Sequence, residues 1–178
     1  LKLIQKFPTP LTQTELSDPR VKIHYTDGRF FAQRTRDRFD LIFIGLSAPQ
    51  ELQTNRLFSS EFFASAKRKM NPHGIIVLTL PGSLTYVSPE LRDLNACIIQ
   101  TLKSIYRSVR IIPGDTNLYL ASDSKKLEQV THEELIKRLE ERKIKTSLIT
   151  KNYIEYRLHE RWLKWFLKSM EGKEVPIN

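Results

Sequence analysis

Residues 38–50 read RFDLIFIGLSAPQ. Leu41 to Ile44 form an apolar run suited to a strand, preceded by Asp40 and closed by Gly45 and a Ser-Ala-Pro turn. A short apolar run between turn signals predicts a strand buried on both faces, as in a parallel sheet under helices. In open α/β sheets, ligands sit just beyond the carboxyl ends of such strands. Gly45, Leu46, Ser47, Ala48 and Pro49 therefore stand where chemistry is expected. None of them takes or gives a proton at neutral pH.

Working outward, Val21 to Tyr25 reads as a strand closed by Thr26-Asp27-Gly28, and Arg29 to Arg36 as a short helix. Before these, residues 1–7 look like the end of a helix stopped by Pro8 and Pro10, with a polar connection from Thr9 to Pro19. On the other side, Gln50 to Phe58 reads as a loop. Ser59 caps a helix to about Met70, which Asn71-Pro72-His73-Gly74 ends. Ile75 to Leu80 is a second apolar strand. Ser88-Pro89-Glu90 starts a helix that reaches Ile105. Val109 to Ile112 and Leu118 to Ser122 form an antiparallel hairpin around Pro113-Gly114-Asp115-Thr116-Asn117. Thr131-His132-Glu133-Glu134 is a capping box for a helix to Arg142. Lys151 to Met170 reads as one long final helix. Strands alternate with helices as far as Ser122, which gives an α/β class with a mostly parallel sheet.

The composition bounds the function. The chain has 178 residues, 40% of them hydrophobic, enough for the core of one domain. Its one cysteine, Cys97, excludes an internal disulfide framework and a Cys-rich metal site, and reads as a packed thiol. The four histidines are scattered without ligand spacing, so no metal site is expected. There is no run of apolar residues long enough to span a bilayer and no signal peptide. The formal charge is +9, with the basic excess late in the chain. That suits solvated helix faces or an anionic surface. No nucleic-acid-binding signature is present, and no nucleic acid partner is expected. The final segment interleaves Tyr153, Tyr156, Trp162, Trp165 and Phe166 with Arg157, Arg161, Lys164 and Lys168. It reads as a helix packed across the sheet or against a partner chain, or alternatively as an interfacial helix.

Four stretches carry a resemblance: DPRVKIHYTDGRFF (18–31), RFDLIFIGLSAP (38–49), LFSSEFFASAKRKMNPHGIIVL (57–78) and SVRIIPGDTNLYLAS (108–122). In this order and with these gaps they resemble the spermidine synthases, the polyamine aminopropyltransferases, which share the class I methyltransferase fold. The resemblance implies a partial methyltransferase-like (Rossmann-like) sheet with an antiparallel C-terminal hairpin. Residues 1–123 would be an α/β domain incomplete at its N-terminus, and 124–178 a helical extension packed on it. It also implies a Gly-rich loop and a ribose-binding acid, both expected upstream of Leu1. Asp27-Gly28 matches the family's adenine-contacting Asp-Gly.

At the central strand the sequence departs from the family. Spermidine synthases typically continue there as Asp-Ser-Ser/Thr-Asp-Pro, with one aspartate helping to take the proton from the attacking amine. Here Gly45 and Ala48 stand in place of both acids. An amine of Lys-like pKa, about 10.4, is protonated at neutral pH, and a positioned base is worth roughly 100- to 10,000-fold in rate. No catalytic residue is therefore assigned. Asp27, Gly28, Gly45 and Leu46 are the expected cofactor-side residues, and Ser47, Glu51, Asn55 and Arg56 the substrate-side ones. Asn55 and Arg56 are candidates to bind an anionic group in place of the lost acids.

QTNRLFSSEFF (53–63) and the ending KEVPIN (173–178) look like the spermidine-synthase-like domain of bacterial multi-pass membrane proteins. From this we expect a piece of a longer protein on the cytoplasmic side, with flanking transmembrane segments or a membrane surface as partner. The isolated chain is expected to bind no cofactor, with S-adenosylmethionine or its decarboxylated form reserved for a full-length protein. A homodimer is expected if the sheet keeps open edges, alongside direct pairing of Val21–Tyr25 with the central strand. Three functional readings stay open: a ligand-binding or regulatory module with a degenerate site, an active S-adenosyl-nucleoside-dependent transferase completed by upstream residues, and a structural domain of a membrane protein.

Overall fold

The computed structural model describes residues 2–46, 48–49, 51–171 and 178. Ser47 and most of the KEVPIN ending lie outside the described residues. The chain opens with α1 (Lys2–Lys6) and α2 (Pro10–Ser17). The second replaces the polar connection expected there. Thr12 N–H donates to Thr9 Oγ1 at 3.3 Å and Thr9 N–H to Thr12 Oγ1 at 2.8 Å, with Pro10 at the first helical position. This helix buries no side chain, so hydrophobic periodicity could not announce it. Only the cap does.

Residues 21–25 belong to no ladder. The strand expected over Val21–Tyr25 does not form, and neither does its pairing with the central strand. Val21 and Tyr25 are exposed. The β-branched character of Val21 fits a pleated, half-buried surface, and among the described residues no ladder includes it. Then come α3 (Gly28–Arg34), β1 (Phe39–Ile44), α4 (Leu52–Asn55) and α5 (Ser60–Arg68). They lead to β2 (Met70–Pro81), α6 (Pro89–Ile105) and the hairpin β3 (Ser108–Ile112) and β4 (Thr116–Ser122). The extension holds α7 (Lys126–Gln129), α8 (His132–Glu141), α9 (Lys151–Arg157) and α10 (Glu160–Ser169).

The sheet order is β1-β2-β4-β3. β1 and β2 are parallel, with Leu41 opposite Ile75 and Ile44 opposite Leu78. β2 and β4 are antiparallel, as are β3 and β4. The class is α/β with the expected antiparallel hairpin, but the parallel share is a single ladder. Asn71 to Gly74 do not separate helix from strand as expected. They form an irregularity inside β2, where the register shifts between Phe39 and Leu41. His73 sits at φ 68, in the left-handed region, and Gly74 is hemmed in. A Cβ there would lie 3.0 Å from the carbonyl oxygens of both Asn71 and Phe39. The Asn-Pro-His-Gly turn signal is therefore genuine, but the strand resumes after it as a bulge.

Packing is one-sided at β1. Ile44 joins the core with Phe58, Phe63, Ile76, Leu78, Leu80, Ile98, Leu102 and Tyr119. Leu41 and Phe43 alternate to the opposite face and stay 59% and 60% exposed. The central strand was expected to be buried on both faces. Among the described residues it is an edge strand covered on one. The expected single helix over Lys151–Met170 is also divided. Leu158 ends α9, and His159 starts α10 by accepting the Arg161 N–H at Nδ1. The break lets Phe166 enter the core, with Trp165 and Met170 against it, while the Trp162 indole N–H donates to the Tyr156 carbonyl at 2.9 Å. Among the described residues no helix is long and apolar enough to cross a membrane.

Candidate functional site

Because β1 and β2 run parallel, their carboxyl ends open on the same edge of the sheet. That edge carries Gly45, Leu46, Ala48 and Pro49 after β1, and Pro81, Gly82 and Ser83 after β2. Thr116, at the start of β4, pairs with Pro81 and brings the hairpin turn to the same edge.

The two loops are held differently. Beneath the β2 loop lies a buried polar cluster. Asn95, on the inner face of α6, donates Nδ2–H to the carbonyls of Leu91 (2.6 Å) and Pro81 (3.3 Å). Its Oδ1 accepts from Asn117 Nδ2 at 3.0 Å and from the Tyr119 hydroxyl. Asn117 Oδ1 in turn accepts the Gly114 N–H at 3.1 Å, and the Gly82 N–H donates to the Asp115 carbonyl at 2.9 Å. Burial pushes the Tyr119 hydroxyl far above the ordinary tyrosine range, although its Asn117 hydrogen bond opposes this. Tyr119 therefore remains a neutral donor. A buried network satisfied at every member fixes its neighbours. Here it locks helix, hairpin and the end of β2 into one block. A Cβ on Gly82 would run into the Gly114 carbonyl and the Asn117 side chain. Residue 82 must therefore be glycine for the turn and loop to approach this closely. From the extension, the Arg157 guanidinium lies over Gly114 and donates to the Thr116 carbonyl at 3.4 Å.

Among the described residues, the β1 loop has no comparable anchor. Leu46 packs against the core and Ala48 is buried, but Glu51 is exposed. A Cβ on Gly45 would meet only the Phe43 ring, at 3.4 Å, so crowding does not exclude a larger side chain at 45. Asp27 caps α3, its Oδ1 accepting the N–H groups of Arg29 (2.9 Å) and Phe30 (3.2 Å). Gly28 faces Leu57, whose Cδ2 would lie 3.6 Å from a Cβ at 28. The structure thus brings the Asp27-Gly28 turn beside the segment that follows Asn55 and Arg56. Asn55 Oδ1 accepts from Asn178 Nδ2 at 2.9 Å, and Asn178 Nδ2 also donates to the Phe58 carbonyl. Arg56 is exposed. Asp40 Oδ1 accepts from Asn71 Nδ2 at 2.8 Å across the first ladder. Among the described residues no three His, Cys, Asp or Glu side chains group as a metal site. Burial raises the Cys97 thiol despite hydrogen bonds that oppose it, so it is no ready nucleophile.

Sequence reasoning missed Asn95, inside the helix read from Ser88 to Ile105, and left Asn117 as a turn residue. The signal available was an amide at the buried helical spacing Leu91-Asn95-Ile98-Leu102.

Residues 2–133 match the family described as spermine/spermidine synthase domain. A polyamine aminopropyltransferase of Prochlorococcus marinus (strain MIT 9312) is 37% identical over 109 residues, which is 60% of this chain and 36% of that protein. The chain thus spans about a third of such a relative's length. Among solved structures, a spermidine synthase in complex with the transition state analogue AdoDATO superposes with a TM-score of 0.68 at 17% identity. The superposition covers 94% of this chain and 57% of that one. Human methyltransferase-like protein 13 in complex with SAH gives a TM-score of 0.50 at 12% identity, over 87% and 61%. At such identities the structures speak to the fold, which is methyltransferase-like.

Proposed function

The chain belongs to the spermine/spermidine synthase family, and from that premise we propose that it is a member whose site binds or regulates rather than transfers an aminopropyl group. One observation carries this reading. At the carboxyl end of β1, Gly45, Leu46, Ala48 and Pro49 offer no group that can accept a proton. The family's chemistry needs a base for a protonated amine and negative charge for a polycation. Of the acids near this edge, Asp27 caps α3, while Glu51 and Asp115 are exposed; Asp40, at the far end of β1, holds Asn71. Steric pressure does not account for the loss at 45, where only the Phe43 ring is near.

A second reading has its own support. The relative at 37% identity carries the name polyamine aminopropyltransferase. On that reading the proton acceptor comes from residues outside this chain, and S-adenosylmethionine or its decarboxylated form is the cofactor of the full protein. Incubating the full-length protein that contains this chain with decarboxylated S-adenosylmethionine and putrescine separates the two. The first reading expects no spermidine above background. Turnover on the order of 1 per second would overturn it and establish the second.

A further inference from the structure

The strongest unassigned surface lies in the helical extension, between α8 and α9. The α8 C-terminus is closed by Lys143 in the left-handed region, φ 51, with the Ile144 N–H donating to the Leu139 carbonyl at 3.0 Å. The far end is closed by Thr146 Oγ1, which accepts the Ile149 N–H at 3.1 Å, and by Thr150, which caps α9. Between these fixed ends the chain presents Ile144, Leu148 and Ile149 to solvent, with Leu148 82% exposed. Beside them is an open cleft of about 440 Å³, lined by Ile136, Leu139 and Ile149 with Lys143, Lys145 and Lys151 and one acid, Glu140. The loop and cleft, residues 140–151, carry Arg142, Lys143, Lys145 and Lys151 against Glu140 and Glu141, and the whole stretch from 142 to 170 holds eight Lys and Arg against two Glu.

We propose that this loop and cleft dock on an anionic bilayer surface. Charge complementarity argues for it. Lysines alone would be a solvated face, and aliphatic tips alone would be an ordinary exposed patch. Aliphatic side chains between lysines suit the boundary of headgroups and acyl chains, where the tips lose water and the ammonium groups meet lipid phosphates. A nucleic acid would use the lysines but gives Leu148 and Ile149 nothing to bury against, since single-strand binding draws on aromatic stacking. The location also differs from the reading of the sequence, which put the interfacial element on the final helix. In α10, Phe166 is spent on the core and Trp165 packs against it.

Sedimentation of the protein with vesicles tests this. Vesicles containing about one-third phosphatidylserine should bind at least about tenfold more tightly than pure phosphatidylcholine, and added salt should weaken the binding. Leu148→Asp/Ile149→Asp and Lys143→Glu/Lys145→Glu should each lower binding to the anionic vesicles by about tenfold or more. Arg34→Glu/Arg36→Glu changes the net charge as much as the lysine pair at a site outside the loop, and should cost less than about threefold. Circular dichroism checks that each variant keeps its fold, which such exposed positions allow. Equal binding to neutral and anionic vesicles, no binding to either, or an equal loss from the Arg34/Arg36 control would each overturn the proposal. So would binding of single-stranded RNA that falls with the lysine pair but not with the Leu148/Ile149 pair.

Discussion

The two sides of β2 behave as different materials. Toward β4, β3 and α6, large side chains vanish from solvent and every polar atom of the Asn95 cluster has a partner. Toward β1 and the segments before it, Leu3, Phe7, Leu11, Val21, Phe30, Leu41 and Phe43 are exposed. The two sides do not differ in hydrophobic composition: FDLIFI is as apolar as IIVLTL. They differ in what covers the second face. The site edge lies across this seam, with one loop anchored to a buried network and the other resting on an exposed strand.

Truncation tests the contrast most strongly. Leu78→Ala empties a fully buried position and should cost about 3–5 kcal/mol in urea denaturation. Phe43→Ala removes a larger side chain and should change stability by less than about 1 kcal/mol. Equal costs would mean that the exposed face of β1 is covered in solution.

Next comes the polar cluster. Asn95→Leu removes the acceptor of the buried Tyr119 hydroxyl and leaves the Asn117 amide only its 3.5 Å bond to the Pro81 carbonyl, and should cost about 2–3 kcal/mol. Adding Tyr119→Phe should recover part of that loss, because one orphaned donor disappears. Asp40→Ala breaks only the exposed Asn71 bond and should stay within about 0.5 kcal/mol.

Glycines give a prediction of opposite signs. Gly82→Ala pushes a methyl into the Gly114 carbonyl and should destabilise by about 1–3 kcal/mol. Gly28→Ala, at the first position of α3 with ordinary contact to Leu57, should be neutral or stabilise by about 0.5 kcal/mol. Thermal midpoints of the two variants check the signs.

The smallest effect is electrostatic, and it lies on the rigid side. Burial raises the Asp123 carboxyl, but hydrogen bonds from Lys67 at 2.9 Å and from the Arg107 N–H outweigh it, so the net shift is downward. A carboxyl lowered in the folded state stabilises above its unfolded pKa of about 3.9 and loses that contribution as the pH falls through the folded value. Asp123→Asn should therefore cost less than about 1 kcal/mol at neutral pH, given the pair's exposure. The difference from the unsubstituted chain should close in acid. Urea midpoints at neutral and strongly acidic pH measure both.

Much of the local structure was legible in the residues. Ser59, Ser88 and Thr131 cap the helices that follow them, Pro89 marks the first position of α6, and the hairpin turns at Pro113-Gly114-Asp115, with Thr116 and Asn117 already in β4. Where reading failed, a real local signal met a different tertiary setting. Residues 21–25 have strand-like side chains but no neighbouring strand to bond. Asn-Pro-His-Gly bends the chain but does not end β2. The final helix breaks at Leu158 and His159, where no proline or glycine warns of it, and the break coincides with Phe166 reaching the core. Of the candidate site, the absence of acids after β1 was plain from the sequence. The Asn95–Asn117–Tyr119 cluster was not.

The sequence by itself determined the positions of β1, β3 and β4 to within a few residues, the apolar second half of β2, the caps of three helices, the resemblance to spermidine synthases, and the replacement of two acids by Gly45 and Ala48. These depend on the nature of each residue and on periods of two and 3.6, which act over a few neighbours. Only the tertiary structure decided that β1 is an edge with one bare face, that three polar side chains 22 to 24 residues apart meet at one oxygen, and that Arg157 reaches back over Gly114. Burial and pairing depend on which distant segment arrives. Apolar character states only that a residue gains by being covered, not whether anything covers it.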